Sequence, residues 1–400
     1  MDELILTGEG LTAEHVVAVA REGRAVRLSA EATSRMEQAS ALAGELAAGD
    51  AAVYGLTTGV GALRGVPQSA DDADRFNRVT IQSHRTSHGP PLPGEVGRAA
   101  MLHRVNVLCR GRSMVRPVVA QAFVDALNDG VAPQLRAIGS VGQSDLPVMA
   151  ELTSLLQDRG LVLARGEALS LLNCNALSVG LGALAMADTA RLLDAYDVVG
   201  ACSLEAFAGN PSPLHPQVTD ARPYTGLATS LGRMRELLDG SVIWQPGAPR
   251  NLQDPLSFRT IPQVLGAARD ALAFARSQLE IELNASGDNP MAVPSDGRFI
   301  SVGNFDITPV AAAIDFLRLA LAQVMTASCE RVQKHLSRNF SGISTGLRSI
   351  DTPDDALALV GGGAAALAAE ARLLAMPVSL ELPTSTVAGG IEDHLTMAPL

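Results

Sequence analysis

The chain has 400 residues, and 31 Lys and Arg against 42 Asp and Glu give a formal charge of −11. That balance excludes a general nucleic-acid binder, which needs a basic face to displace phosphate counterions. At 47% hydrophobic and 18% charged residues the composition also excludes a disordered chain; with 3% aromatics the core must be filled by Ala, Leu and Val, and Ala and Leu favour helix.

In chain order, Leu4–Thr7 reads as a short strand, followed by two helices. Thr12 is placed to cap the first, which stops at Gly23, and Ser29 to cap the second, which stops at Gly49. Residues 54–94 are rich in Gly, Thr, Ser and Pro, and long loops of this kind in a compact protein usually carry function. Helical periodicity returns over 95–112, 115–129, 147–158 and a long 166–209; a loop-rich stretch spans 210–260, and helices follow at 261–285, 308–338 and 353–376. The expected architecture is all-α: an N-terminal part, 1–165, holding the loops, and a long-helix part, 166–400, in one structural unit.

Cys109, Cys174, Cys202 and Cys329 form no C-x-x-C pair, which argues against a zinc ribbon or a disulfide framework and fits a reducing, cytoplasmic setting. The acidic start, Met1-Asp2-Glu3-Leu4, does not resemble a signal peptide. No charge falls between Glu167 and Asp188, a length that suffices to cross a bilayer, but Ser170, Asn173, Asn175 and Ser178 interrupt it, so a buried helix of a soluble core is expected and no membrane partner.

Two generic motifs are rejected on context. Gly342-Ile343-Ser344-Thr345-Gly346 has the spacing of a nucleophile elbow but follows a helical segment rather than a strand. Gly180-Leu181-Gly182 and the residues after it match a loose dinucleotide fingerprint inside a helix, where small residues serve close packing. His84 and His88 are four apart in a Pro/Gly-rich stretch, and no metal site is expected.

Several loops and helix starts form a more specific pattern when read together. They are Tyr54-Gly55-Leu56-Thr57-Thr58-Gly59-Val60-Gly61, Ser83-His84, Gly139-Ser140-Val141-Gly142, Leu172-Asn173, Gln253-Asp254-Pro255-Leu256-Ser257-Phe258-Arg259, Asp288-Asn289-Pro290, Gly303-Asn304-Phe305, Pro383-Thr384-Ser385 and Glu392-Asp393-His394. In this order they resemble the histidine and aromatic amino-acid ammonia-lyase family, which includes aminomutases. The resemblance covers nearly the whole chain. It implies an almost wholly helical homotetramer whose active sites take loops from more than one subunit. It also implies an electrophilic methylideneimidazolone ring, formed from an internal Ala-Ser-Gly.

At that loop the sequence departs from the family pattern Gly-Ser-Val-Gly-Ala-Ser-Gly-Asp-Leu-x-Pro. Here Gln143-Ser144-Asp145 stands before Leu146-Pro147, one residue short before Asp-Leu and one before Pro. Ring closure needs the backbone nitrogen of the third residue to attack the carbonyl of the first, an approach that glycine permits. Asp145 is a poor substitute, and the ring is expected to be absent. Leu256 stands where the family usually has a second Tyr, Cys174-Asn175 where it has Gly-Thr, and the sequence ends well before most members do.

The resemblance gives roles to the retained residues. Tyr54 stands at the general-base position and needs positive charge or donors nearby to work near neutral pH. Arg259 matches the residue that holds a substrate carboxylate, for which a guanidinium fork is suited. Asn173 matches the ring's hydrogen-bond partner. His84, Gln253, Leu256, Asn304, Phe305 and Glu392 match substrate-pocket positions. The expected function is acid–base chemistry without the ring (elimination, isomerisation or cyclisation) on an activated small molecule, free or carrier-bound. The alternatives are a conventional ammonia-lyase with an atypical ring and an inactive binding relative.

Overall fold

Thr12 and Ser29 act as the caps their positions predict. Thr12 accepts from the His15 amide and opens a helix at Ala13–Ala20; Ser29 accepts from the Ala32 amide and opens Ala30–Ala47. Each hydroxyl satisfies one of the amides that a helix start leaves without an internal partner. These and the following elements come from a computed structural model that describes residues 2–69, 71–347, 357–380 and 390–400. Strand is confined to three two-stranded ribbons among the described residues: Leu4–Leu6 with Val26–Leu28, His88–Pro91 with Arg136–Ile138, and Met291–Val293 with Arg298–Ile300.

The helices expected over 95–112, 115–129 and 147–158 are found at Gly94–Leu108, Pro117–Asn128 and Leu146–Asp158, and those after residue 260 at Ile261–Leu283, Thr308–Leu336 and Ala358–Leu374. Two more lie in stretches read as loop, Ala73–His84 and Thr225–Leu237. The long helix expected over 166–209 is two helices, Glu167–Leu172 and Ala176–Ala206, parted at Asn173-Cys174-Asn175. Gly180 lies inside the second of them, and a Cβ there would sit 2.9 Å from the Ala100 amide, so glycine lets two helices touch.

The chain divides into two compact units, Met1–Ala187 with Arg276–Ala311 and Val378–Leu400, and Asp188–Ala275 with Ala312–Pro377. The Ala176–Ala206, Ile261–Leu283 and Thr308–Leu336 helices each have residues in both. The first unit packs Gly94–Leu108 at its centre, with 13 of that helix's residues buried. Arg104 and Asp288 form an ion pair there at 3.2 Å, with side chains 0% and 2% exposed. In the second unit Asp197, also fully buried, is bonded by Arg233 (3.0 Å) and Arg269 (2.5 Å).

Among the described residues three mainly helical stretches are long and apolar enough to cross a membrane by length and composition alone: Glu167–Ala206, Thr308–Leu336 and Leu359–Leu380. The most apolar window of the first is 89% buried within the chain itself, whereas those of the others are 33% and 17% buried. In the second unit Leu192, Val199, Phe274, Phe316, Leu359 and Leu367 are among the exposed side chains.

His103 makes a stability prediction. It is 3% exposed, its Nε2 meets the Glu282 carbonyl at 3.1 Å, and burial, reinforced by Arg104, lowers its pKa to about 4. A neutral imidazole is thus built into the fold, while the unfolded chain takes up a proton near pH 6.5. The stabilisation is complete above that value and falls away as pH drops towards 4, by about 3 kcal/mol in all. Urea unfolding at pH 7 and pH 4.5 is expected to show a smaller loss for His103→Gln than for the parent.

Candidate functional site

The loop at residues 139–147 is held by the helix break at Asn173-Cys174-Asn175. Ser144 adopts a left-handed φ of 62°. Its amide donates to Asn175 Oδ1 at 2.9 Å and its hydroxyl to Asn173 Oδ1 at 2.5 Å. The two asparagines are anchored in turn, Asn173 Nδ2 on the Asn289 carbonyl (2.9 Å) and Asn175 Nδ2 on the Phe305 carbonyl (2.7 Å). The break in the helix therefore frees two amide side chains to clamp one serine, and ties the Asp288-Asn289-Pro290 and Gly303-Asn304-Phe305 segments to the same place.

Asp145 is the deepest group of the loop, 0% exposed. Its amide donates to the Cys174 carbonyl at 2.8 Å. Its carboxylate accepts from the Ser140 hydroxyl and from the Ser178 amide (2.8 Å) and hydroxyl (3.0 Å). Ser178 is in the first turn of Ala176–Ala206, so Asp145 caps that helix, where unpaired amides and the helix dipole favour an anion. Burial pushes the Asp145 pKa up against these bonds, and the net shift is upward.

Gln143 forms an isolated bridge with Asp306, and its side-chain amide donates to Asp306 Oδ2 at 2.8 Å; its own Oε1 is buried without a partner. Asp306 also accepts from the Thr308 amide (2.9 Å) and lies 3.3 Å from His394 Nε2. Burial would raise Asp306, but the bonds from Thr308 and Gln143 and the charge of His394 prevail, so its pKa is lowered. The segment after His394 straps the loop: Thr396 Oγ1 donates to the Gly142 carbonyl at 2.8 Å, and the Thr396 and Met397 amides to the Val141 carbonyl. Gly142 has φ 77° and a Cβ there would overlap Thr396 Oγ1, so only glycine fits beneath the strap.

Tyr54 stands in the first unit on the turn after Val53. Its hydroxyl accepts from the Gly61 amide at 2.9 Å. Burial raises its pKa; the Gly61 amide and Arg64 act the other way, and Glu392 adds to the rise. The expected positive neighbour is thus outweighed, and the phenol keeps its proton at neutral pH. His84 closes the Ala73–His84 helix, with Nδ1 2.7 Å from the Thr80 carbonyl. Asn304 and Glu392 are exposed, and Phe305 is half-buried.

Gln253, Leu256 and Arg259 belong to the second unit. Leu256 opens the short helix Leu256–Arg259 and is 62% exposed; Arg259 donates to Gln253 Oε1. Pro383-Thr384-Ser385 lies outside the described residues. No group of three His, Cys, Asp or Glu able to hold a metal occurs among the described residues. Sequence reading passed over Asn175, Ser178 and Asp306 as working residues; an acidic residue two before Thr308, at the head of a long apolar helix, was the one available signal.

The aromatic amino acid lyase family model matches residues 11–166 and 156–400. Histidine ammonia-lyase of Streptomyces coelicolor is 36% identical, over 99% of this chain and 82% of that protein; histidine ammonia-lyase of Streptococcus sanguinis is 32% identical, over 94% and 78%. Among solved structures, the ergothioneine-degrading enzyme ergothionase of Treponema denticola has a TM-score of 0.94 at 29% identity, covering 100% of this chain and 84% of that one. Tyrosine aminomutase of Streptomyces globisporus has a TM-score of 0.89 at 28% identity, covering 100% and 83%. The chain belongs to the aromatic amino acid lyase family.

Proposed function

We propose that this member of the family works without the methylideneimidazolone ring and moves protons on an activated small molecule, in an elimination, an isomerisation or a ring closure. The bonding of Gln143-Ser144-Asp145 carries the proposal. Ring closure would require the Asp145 nitrogen to leave the Cys174 carbonyl and reach the Gln143 carbonyl carbon. It would also drag a buried carboxyl group away from Ser140 and Ser178. Stripping a buried carboxyl group of its hydrogen bonds costs about 1–3 kcal/mol, a penalty that a glycine at this position does not carry. The residues present do not fit the ring.

Intact mass and peptide mapping test this. The chain is expected to have its unmodified mass. A loss of two waters, roughly 36 Da, would overturn the proposal whether it maps to 143–145 or to Ala285-Ser286-Gly287, the one place in the chain where that tripeptide occurs. The histidine ammonia-lyases at 32–36% identity favour that second reading, an ammonia-lyase with an atypical ring.

In the ring-free reading Tyr54 is the proton-transfer group and Ser144 with Asn173 supplies hydrogen bonds, all within the first unit; in the second unit Arg259 with Gln253 matches, by the family resemblance, the group that receives a substrate's acidic end. His84, Asn304, Phe305 and Glu392 of the first unit shape the pocket there, and Leu256 stands with Gln253 and Arg259 in the second. The substrate is a small molecule, free or carrier-bound, in the cytoplasm.

We also assign the exposed apolar faces of the second unit to contacts with other copies, in a homotetramer. Side chains such as Leu359 (90% exposed), Leu373 (69%) and Leu374 (64%) leave both ends of the Ala358–Leu374 helix with apolar surface in water. Light scattering at micromolar concentration is expected to give four times the chain mass. A monodisperse monomer, or a protein that needs detergent to stay in solution, would refute the assignment.

A further inference from the structure

A cavity of about 780 Å³ opens in the first unit against the ribbon of Met291–Val293 and Arg298–Ile300. Met291 pairs there with Ile300 and Val293 with Arg298, so Met291, Val293 and Ile300 share one face, and all three line the cavity. Ala292, on the opposite face, is fully buried. Five charged side chains line the same cavity, and three of them are already engaged. Arg110 pairs with Glu9 at 2.9 Å and Asp296 with Arg298 at 3.3 Å, while Asp306 is held by Gln143, Thr308 and His394.

Arg112 and Glu282 are the other two. Arg112 is fixed to the first strand of the ribbon: its Nη1 donates to the Ala292 carbonyl at 3.3 Å, and its own carbonyl accepts from the Ala292 amide at 2.7 Å. Among the described residues no carboxylate pairs with its guanidinium. Glu282 is half-buried in the last turn of Ile261–Leu283, where the helix dipole disfavours an anion. Burial, and then the charge of Asp306, raise its pKa to about 7, and no cation or hydrogen-bond donor among the described residues opposes them. No ion pair joins Arg112 to Glu282, and Arg112 does not act on its charge, so the two face one cavity from separate places. A carboxyl group kept against the helix dipole, without a partner, on the wall of a cavity is placed to bind.

We propose that this cavity binds a small ω-amino acid, with its carboxylate on Arg112, its ammonium on Glu282 and its methylenes on Met291, Val293 and Ile300. A guanidinium fork suits a carboxylate, and an ammonium beside Glu282 favours the ionised carboxylate there. A simple carboxylic acid or a simple amine would leave one of the two charges unmatched. An α-amino acid carries both of its charged groups on one carbon, too close together for partners that stand apart. Asp306 lines the cavity and accepts from Gln143, so the ligand would lie beside a support of the 139–147 loop. This inference stands whether or not the ring-free reading holds.

Calorimetric titration of the full chain with γ-aminobutyrate, δ-aminovalerate and ε-aminocaproate tests it, with glycine, valerate and pentylamine as controls. The best of the three ω-amino acids is expected to bind about ten-fold or more tightly than any control. Glu282→Gln keeps the shape of the side chain and removes its charge; Arg112→Met removes the other charge. Each is expected to weaken that ligand by about ten- to a hundred-fold. The ranking of ligands on the parent decides the matter even if neither variant folds. No binding of any ω-amino acid, a control that binds as tightly as the best of them, or parent affinity in either variant would overturn the proposal.

Discussion

Given free histidine, phenylalanine or tyrosine, the protein is expected to release no urocanate, cinnamate or coumarate above background. The proton that must leave in such a reaction sits on a β-carbon next to no carbonyl, and a base alone abstracts it poorly. A positioned acid or base contributes about a hundred- to ten-thousand-fold. Enzymes reach about a million-fold or more. The missing factor must come from an electrophile or from the substrate itself. At the place where the family builds its electrophile, Asp145 is fully buried and bonded through its amide and both carboxylate oxygens. A substrate with a more acidic proton, beside a carbonyl or along a conjugated chain, removes the need for one. Ammonia release from any of the three amino acids, abolished by borohydride, would refute the ring-free reading and establish a conventional ammonia-lyase.

What the sequence revealed and what it hid follow from the same physics. Helices with a capping side chain and an apolar stripe were legible, as at Thr12 and Ser29. The Ala73–His84 helix was not, because its buried face is made of Asn77, Thr80 and Ile81, and two polar residues in three erase the periodicity. Asn77 is buried to bond the carbonyls of Leu163 and Ala164, a purpose no local pattern discloses. The Thr225–Leu237 helix buries Gly226 and Ser230 and is hidden for a similar reason. The break at 173–175 was read through, since three short residues between apolar runs do not stop a helix by composition.

The site shows the same division. Ser144 and Asn173 were found together from the order of the motifs, and the structure joins them by a hydrogen bond. Asn175 and Asp306 escaped because the bonds by which they hold the loop reach groups 31 and 163 residues away in sequence. The sequence flagged Cys174-Asn175 only as a departure from the family pattern. In the fold that departure is useful, since the Asn175 side chain takes the Ser144 amide and the Cys174 carbonyl takes the Asp145 amide.

Tyr54→Phe is expected to lower turnover of the natural substrate by about a hundred- to ten-thousand-fold while leaving the fold intact. The substitution deletes one hydroxyl and keeps the ring that packs in the turn. The bond it loses is the one from the Gly61 amide, about 1 kcal/mol of stability at most, too little to unfold the unit. The pH profile then separates the two ways a phenol can serve. Burial and Glu392 hold the Tyr54 pKa above its ordinary value of 10, so at neutral pH the group is a proton donor in nearly every molecule. Activity that uses it as an acid stays level through neutrality and is lost as pH rises through the elevated pKa. Activity that uses it as a base climbs with pH towards that same value instead. The level profile with an alkaline fall is the expected result for the described chain, and Tyr54→Phe is expected to remove that alkaline limb along with the rate. Parent-level turnover by Tyr54→Phe would remove Tyr54 from the chemistry and leave His84 and Glu392 as the nearest candidates in its unit.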